Sequence, residues 1–485
     1  MRCLYLVQEL APYFAEGGLG QAARALPELL QRDHGIEHDL LVPYYPWLVA
    51  ERGLRTEEVA RLPGIRIAGV TAEATVERVL NHDGSCDVFL LRADVWYDRE
   101  GIYRDGRYVE FADATARAAF FGWAAARWAE VSGRTYDLVH GNDWQSGAAL
   151  AHLRRARGSA ARPALLMNVH NGAYAGEVGV AEVAGLGLPD AFREPFLTAA
   201  RGRPSLLLAG LLAADAATTG SPGYARELRA ELAGSPLGDV LEPLALTGIV
   251  AGVDERVWNP AAPGRLATPF DRDAVTPGKR ANKRALQHLA ALREDPDVPL
   301  FGVCARLVPE KGVDLMLTAL GPRLLDGTAQ LVVVGSGDTA YTRVLAELRR
   351  SAPGAVHHLP RFDHDVASLV YAGSDFTLMP SRVEPCGLNQ LIAMAYATVP
   401  LVSAVGGLRD TVSELRGAPQ EGTGFRFAAL TAQAVEDTVA DAVRWLGSSP
   451  GEVERTRRRL MDQDWTWHRT ARETARLYEQ VVAHD

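Results

Sequence analysis

Short runs of Val, Leu and Ile, closed by turn residues, alternate along this chain with longer stretches whose apolar residues recur at helical spacing. The runs fall at 4–7, 38–42, 87–91, 137–140, 164–170 and 247–250, and again at 300–305, 330–335, 375–380 and 399–403. Strands that read as near-continuous apolar runs need helices over both faces, which is the signature of parallel sheets built from βαβ units. Ten such runs in 485 residues fit two sheets better than one. Between the two series, residues 259–279 carry Pro260, Pro263, Gly264, Pro269, Pro277 and Gly278, which break any periodicity. The sequence therefore predicts an α/β protein with a first doubly wound domain over 1–250 and a second over 251–460. Ala471, Ala475 and Tyr478, at helical spacing, predict an amphipathic helix over 461–485, which is expected to return to the first domain. Two such domains facing each other would place a ligand cleft between the carboxyl ends of both sets of strands.

Charge narrows the partners. With 51 Lys and Arg against 60 Asp and Glu, the net charge is -9, so no long-range attraction draws nucleic acid or anionic lipid to the surface. Cys3, Cys86, Cys304 and Cys386 lie far apart, without CxxC spacing, and fit a reducing cytoplasm. No apolar segment approaches the roughly 20 residues of a membrane helix.

The chemistry-bearing segments follow strand ends. After the first run, Glu16-Gly17-Gly18-Leu19-Gly20 opens a helix, either as an anion-binding turn or as a tight turn alone. Arg306 lies just past a buried strand and Lys311 precedes a helix starting near Gly312. The two cations form a diphosphate clamp if both enter the cleft, and otherwise are ordinary surface charges. Between two further elements, Ser381 to Gln390 places Glu384 just before a helix whose first amides, at Gly387, Leu388 and Asn389 next to Cys386, are free to hold phosphate or hydroxyl oxygens. In the first domain, Asp143 of HGNDW and His170 and Asn171 of NVHNG each follow a strand. His170 can serve as donor, general base or satisfied strand-end residue, and Asp143 as its counter-charge or as an acceptor for sugar hydroxyls.

Metal chemistry finds no support in the spacing. The twelve histidines include no HExxH pattern, and the DxD strings 271–273, 295–297 and 363–365 are read as structural. The basic cluster Arg455, Arg457, Arg458 and Arg459 is read as a solvated helix face beside Glu452 and Glu454.

Taken in order, EGGLGQAARALP, YDREGIYRDG, HGNDW, VHNGAYAG, SPGYARE, AGVDERVWNP, KRANKRALQ, RLVPEKGVDL, SRVEPCGLNQ and VGGLRDTV resemble the bacterial glycogen and starch synthases, retaining GT-B glucosyltransferases with two Rossmann-like lobes. That resemblance implies an NDP-sugar donor, ADP-glucose first, a glucan acceptor, and no cofactor or obligatory metal. It implies that Arg306 and Lys311 bind the diphosphate, that Glu384 contacts the donor sugar, and that His170 and Asp143 lie at the reacting centre. Gly17 and Gly18 would approach the phosphates, and Phe362 would stack on the base. Four positions depart from the pattern and are expected to face the cleft: Ala15, before Glu16, where the family carries Lys; Gln145 in place of His; Leu208 in place of Lys; and Ala251 in place of Asn. These departures leave open a specialised relative that moves another NDP-activated sugar or cyclitol to a small sugar or amino-sugar acceptor, and a non-catalytic relative that binds nucleotide or glucan.

Overall fold

Strand β1 (Arg2–Leu6) is buried from Cys3 onward, as its unbroken apolar sequence requires of a strand covered on both faces. The computed structural model describes residues 1–16, 18–106, 109–154 and 163–483. They divide into two compact units, Met1–Ala251 with Trp467–Asp485, and Gly252–Thr466.

The first unit contains β1 and eight more strands: β2 (Glu37–Pro43), β3 (Thr56–Ile67), β4 (Val70–Val79), β5 (Asp87–Arg92), β6 (Leu138–Asn142), β7 (Ala164–Val169), β8 (Ala216–Thr219) and β9 (Leu246–Gly248). They lie in the order β3-β4-β5-β2-β1-β6-β7-β8-β9. From β5 to β9 every pair is parallel, with β1 between β2 and β6. The departure is at one edge, where β3 and β4 form an antiparallel hairpin and β4 runs antiparallel to β5. The hairpin closes through Ala68 and Gly69, both with positive φ, the mirror-image turn that matches strand twist. Glu57, Glu58 and Arg61 line its exposed edge, and two bulges interrupt its register, so the edge is a poor template for pairing.

Helices cover both faces of the parallel part. The helices Gly18–His34 and Trp467–Ala483 share one apolar cluster with the sheet, in which Leu26, Leu30, Leu138, Leu166, Ala471 and Tyr478 are buried. The final helix is thus part of the core of the first unit. Its Tyr478 hydroxyl lies 2.6 Å from Nδ1 of the buried His140 on β6.

In the second unit, β10 (Leu300–Cys304), β11 (Gln330–Val334), β12 (Val356–Leu359), β13 (Phe376–Met379), β14 (Val399–Val402) and β15 (Phe425–Arg426) form one sheet ordered β12-β11-β10-β13-β14-β15, parallel throughout. The order reverses between β10 and β13, and the crevice beyond the carboxyl ends at such a reversal is where doubly wound sheets bind ligands.

The basic cluster near the chain end differs from its sequence reading. Arg457 is buried and donates to Asp375 at 2.9 Å, while Lys283 holds the other oxygen of the same carboxylate at 2.7 Å. Arg459 donates to the Gly422 carbonyl. Only Arg455 is exposed, and Arg458 pairs with Glu454 at 2.7 Å. Helical spacing puts Arg457 on the face opposite Arg455, toward a buried carboxylate far away in sequence. Among the described residues, no helix is long and apolar enough to cross a membrane.

Candidate active site

The point of reversal in the second sheet carries the charged residues singled out in the sequence. Lys311 ends the turn Pro309–Lys311 after β10, and Gly312 follows with φ +64°. A side chain at Gly312 would place its Cβ 1.9 Å from the Pro380 carbonyl oxygen, so only glycine lets this turn lie against the end of β13. That approach brings Lys311 Nζ to 2.6 Å from Glu384 Oε2. The Ser381 hydroxyl donates to the same oxygen at 3.0 Å. With side-chain exposures of 23% and 8%, the pair is largely withdrawn from water, where a charge-assisted contact is strong and an unpaired carboxylate costly.

Arg382 ties the two loops together. Its guanidinium grips both oxygens of Asp314, at 2.9 and 2.7 Å, and the carbonyl of Pro309 at 2.5 Å. Its amide donates to the Glu310 carbonyl at 2.7 Å. The turn carrying Lys311 is therefore anchored to the loop carrying Glu384. Arg306, by contrast, is exposed, and its guanidinium has no partner among the described residues, which leaves it available to an anion.

Past Glu384, Gly387 takes φ +74°, and a Cβ there would meet the Gln390 amide at 2.4 Å. Gln390 donates to the carbonyls of Cys386 and Gly387 at 3.1 and 2.9 Å. This fixes the approach to the short helix Asn389–Ala395, whose first amides have no intrahelical acceptor. Leu388 and Cys386 are half-buried beside it, and the Asn389 side chain is turned away to donate to the Cys304 carbonyl. Lys311, Ser381, Glu384 and Asn389 line one pocket with Cys304 and Leu307. Phe362 is 54% exposed, its ring edge-on to His364 at 4.8 Å.

The first unit gathers a second set at its own reversal, between β1 and β6. Asp143 follows β6 with φ +54° and ψ 178°, a conformation costly for any residue other than glycine. Its carboxylate accepts from the His170 amide at 2.7 Å. Burial raises its pKa, opposed by His170 and by the amides of His170 and Asn171. His170, just past β7, has Nε2 within 2.9 Å of Asn168 Nδ2 and 3.1 Å of Asn142 Oδ1. The half-buried Asn171 closes its own turn by accepting from the Ala173 amide at 3.0 Å.

At the glycine-rich turn, Gly18 is exposed and begins the helix Gly18–His34; Gly17 lies outside the described residues. The turn is held from behind by Glu9, whose buried carboxylate accepts from the Glu16 amide and the Tyr103 hydroxyl, each at 2.8 Å. Burial and Glu9 hold the Tyr103 hydroxyl well above its ordinary pKa, so it stays a donor.

The four departures separate. Ala15 and Glu16 are exposed at the turn, and Gln145 is half-buried beside Asp143. Leu208 does not face a cleft: it is 0% exposed inside the helix Leu206–Ala213, where every neighbouring position is apolar. Ala251 packs against the cluster around the final helix.

Tyr103, Asn142, Asn168 and Arg382 were not singled out from the sequence. All four stand within the quoted motifs, Asn142, Asn168 and Arg382 one or two residues from a residue that was and Tyr103 in YDREGIYRDG. The motif around Tyr103 does not reveal its role, because its partner is 94 residues away. The DxD strings are turn and cap residues, with Asp271, Asp295 and Asp363 each accepting from backbone amides two or three positions on. Among the described residues no three His, Cys, Asp or Glu side chains gather as a metal site would require.

Residues 2–243 match the starch synthase catalytic domain and residues 287–453 match the glycosyl transferases group 1. A glycogen synthase of Rhodospirillum rubrum is 35% identical, covering 100% of this chain and 99% of its own. Glycogen synthase 2 of Bradyrhizobium diazoefficiens is also 35% identical, over 99% and 98%. Among solved structures, the catalytic domain of starch synthase IV from Arabidopsis thaliana, bound to ADP and acarbose, superposes with a TM-score of 0.87 at 25% identity over 99% of each chain. Its two sheets, their reversal points and these full-length likenesses place the chain in the glycogen and starch synthase family, as a GT-B glucosyltransferase resembling glycogen synthase.

Proposed function

We propose that this protein transfers glucose, with retention, from ADP-glucose or a related NDP-glucose to the end of an α-1,4-glucan. The observation that carries this reading is the group of Arg306, Lys311 and Glu384 at the carboxyl ends of β10 and β13. A diphosphate there would meet the free guanidinium of Arg306 and draw the Lys311 ammonium into a second contact, while Glu384 turns to a sugar hydroxyl. As the bond from the anomeric carbon to the phosphate oxygen breaks, the two cations and the amides at Leu388 and Asn389 offset the charge growing on the leaving group. The acceptor oxygen bonds to the same carbon, and its proton passes to the departing phosphate. The cations do the work a metal would otherwise do, so the reaction needs no metal or cofactor. In the first unit His170 and Asp143 are proposed as partners for sugar hydroxyls, and in the second the exposed Phe362 ring is proposed to take the base. A cytoplasmic setting belongs to the same reading, since ADP-glucose and glucan would both be met there.

The exposed Ala15, where a cation is expected, and the neighbouring Glu16 carboxylate favour a second reading: transfer of another NDP-activated sugar or cyclitol to a small acceptor. One experiment separates them. Purified protein is incubated with ADP-, UDP-, GDP- and dTDP-glucose, with and without glycogen or maltooligosaccharides, while diphosphate release and chain length are measured. The expected outcome is glucan-dependent release of ADP with longer chains, lowered about 100-fold or more in Lys311→Ala, as for other lost transition-state contacts to charge. No extension from any donor by folded protein would overturn glucan synthesis and favour the second reading.

A further inference from the structure

The imidazole of His170 is held on one edge and open on the other. Nε2 meets Asn168 Nδ2 at 2.9 Å and Asn142 Oδ1 at 3.1 Å, whereas Nδ1 has no partner among the described residues. Which edge carries the proton follows from the neighbours, beginning at the backbone. Asn142 Nδ2 donates to the Leu6 carbonyl of β1 at 3.0 Å, which turns Asn142 Oδ1 toward His170. That oxygen accepts from the Tyr5 hydroxyl at 3.3 Å and from Asn168 Nδ2 at 3.1 Å, and two donors fill its two lone pairs. Because Asn168 must present its nitrogen to Asn142, it presents the same nitrogen to the imidazole. An amide nitrogen only donates, so Nε2 accepts from it, and a neutral imidazole whose Nε2 accepts carries its proton on Nδ1.

We infer that Asn142 and Asn168 are positioning residues that hold His170 as the Nδ1–H tautomer, so that it meets a ligand oxygen as a hydrogen-bond donor and not as a base. Asp143 completes the arrangement from the other side by fixing the His170 backbone amide. The identity of that oxygen, a sugar hydroxyl, rests on the glucosyl-transfer reading. The two fit together chemically: a histidine locked as a donor cannot take the acceptor's proton, which leaves the departing phosphate to do so.

The test is a long-range proton–nitrogen correlation spectrum of the full chain labelled with nitrogen-15 in histidine, with the His170 signals identified by their loss in His170→Gln. The expected pattern is a protonated-type Nδ1 and an unprotonated-type Nε2 in the native protein. Asn168→Asp, which puts an acceptor where a donor stood, should invert it, with turnover in glucan extension falling about tenfold, the worth of one hydrogen bond, and the donor KM little changed. A proton on Nε2 in the native protein would overturn the inference, and so would an unchanged pattern in Asn168→Asp. If the nitrogen pattern holds while no donor supports glucan extension, the positioning role stands and the glucan reading alone fails.

Discussion

Arg382 shows how one side chain can set the position of a residue proposed to meet the donor. Its two-pronged grip on Asp314 and its bonds to the Pro309 and Glu310 backbone fix the turn that carries Lys311. A half-exposed ion pair contributes at most about 1 kcal/mol to stability. Its effect is on geometry, where a displacement of about 1 Å costs on the order of 100-fold in rate. Arg382→Ala is therefore expected to leave the melting temperature nearly unchanged while raising the donor KM and lowering turnover, each by about tenfold, with Arg382→Lys recovering little because an ammonium cannot reproduce the fork. Steady-state kinetics on the two variants check this, and native kinetics in Arg382→Lys would show that charge alone suffices. At this scale the sequence pointed to Lys311 and Glu384 through their place after strands. It did not reveal that they bond to each other, because 73 residues separate them and only the parallel pairing of β10 with β13 brings them together.

The final helix and the edge hairpin show the same contrast among elements. Helical spacing of Ala471, Ala475 and Tyr478 was enough to read an amphipathic helix, since one apolar stripe must be buried somewhere. What it covers is decided by the core around Leu30, Leu138 and Leu166. Tyr478 anchors it through His140, whose Nε2 has no partner of its own. Tyr478→Phe leaves that imidazole with neither nitrogen satisfied, and is expected to cost about 1–3 kcal/mol of the first unit's stability; calorimetry should show the second unit's transition unmoved. A shift shared equally by both transitions would contradict the assignment of the helix to the first unit. The hairpin β3–β4 was not read from the sequence. Its strands are rich in Glu, Arg and Thr and half-exposed, so they lack the apolar run that marked the parallel strands, and its turn is Ala-Gly where Asn-Gly would have been a stronger signal.

Across the whole molecule, acid should act unevenly. Burial holds four histidines of the first unit neutral, with pKa values lowered to about 4 for His38, His82 and His152 and to about 3 for His140; Arg24 adds to the effect at His82. The unfolded chain takes up these protons near pH 6.5 and the folded one does not, so stability is full above that pH and falls as pH drops toward 4. Melting followed at pH 7.5 and pH 5 is expected to show the first unit's transition moving down by several degrees and the second's moving less. No movement at pH 5 would mean that these imidazoles are already charged in the folded state.

The sequence by itself determined the α/β class, the two series of strands and the strand ends at which chemistry would gather, because apolar runs, glycine turns and helix starts are local properties that each residue carries with it. Tertiary structure alone decided that Lys311 rests on Glu384, that Arg457 is a buried partner of Asp375, that Leu208 and Ala251 lie in apolar packing, and that two asparagines orient His170. Each of these depends on which strands become neighbours, and strand order is set by the burial of whole faces, a sum over residues far apart in the chain.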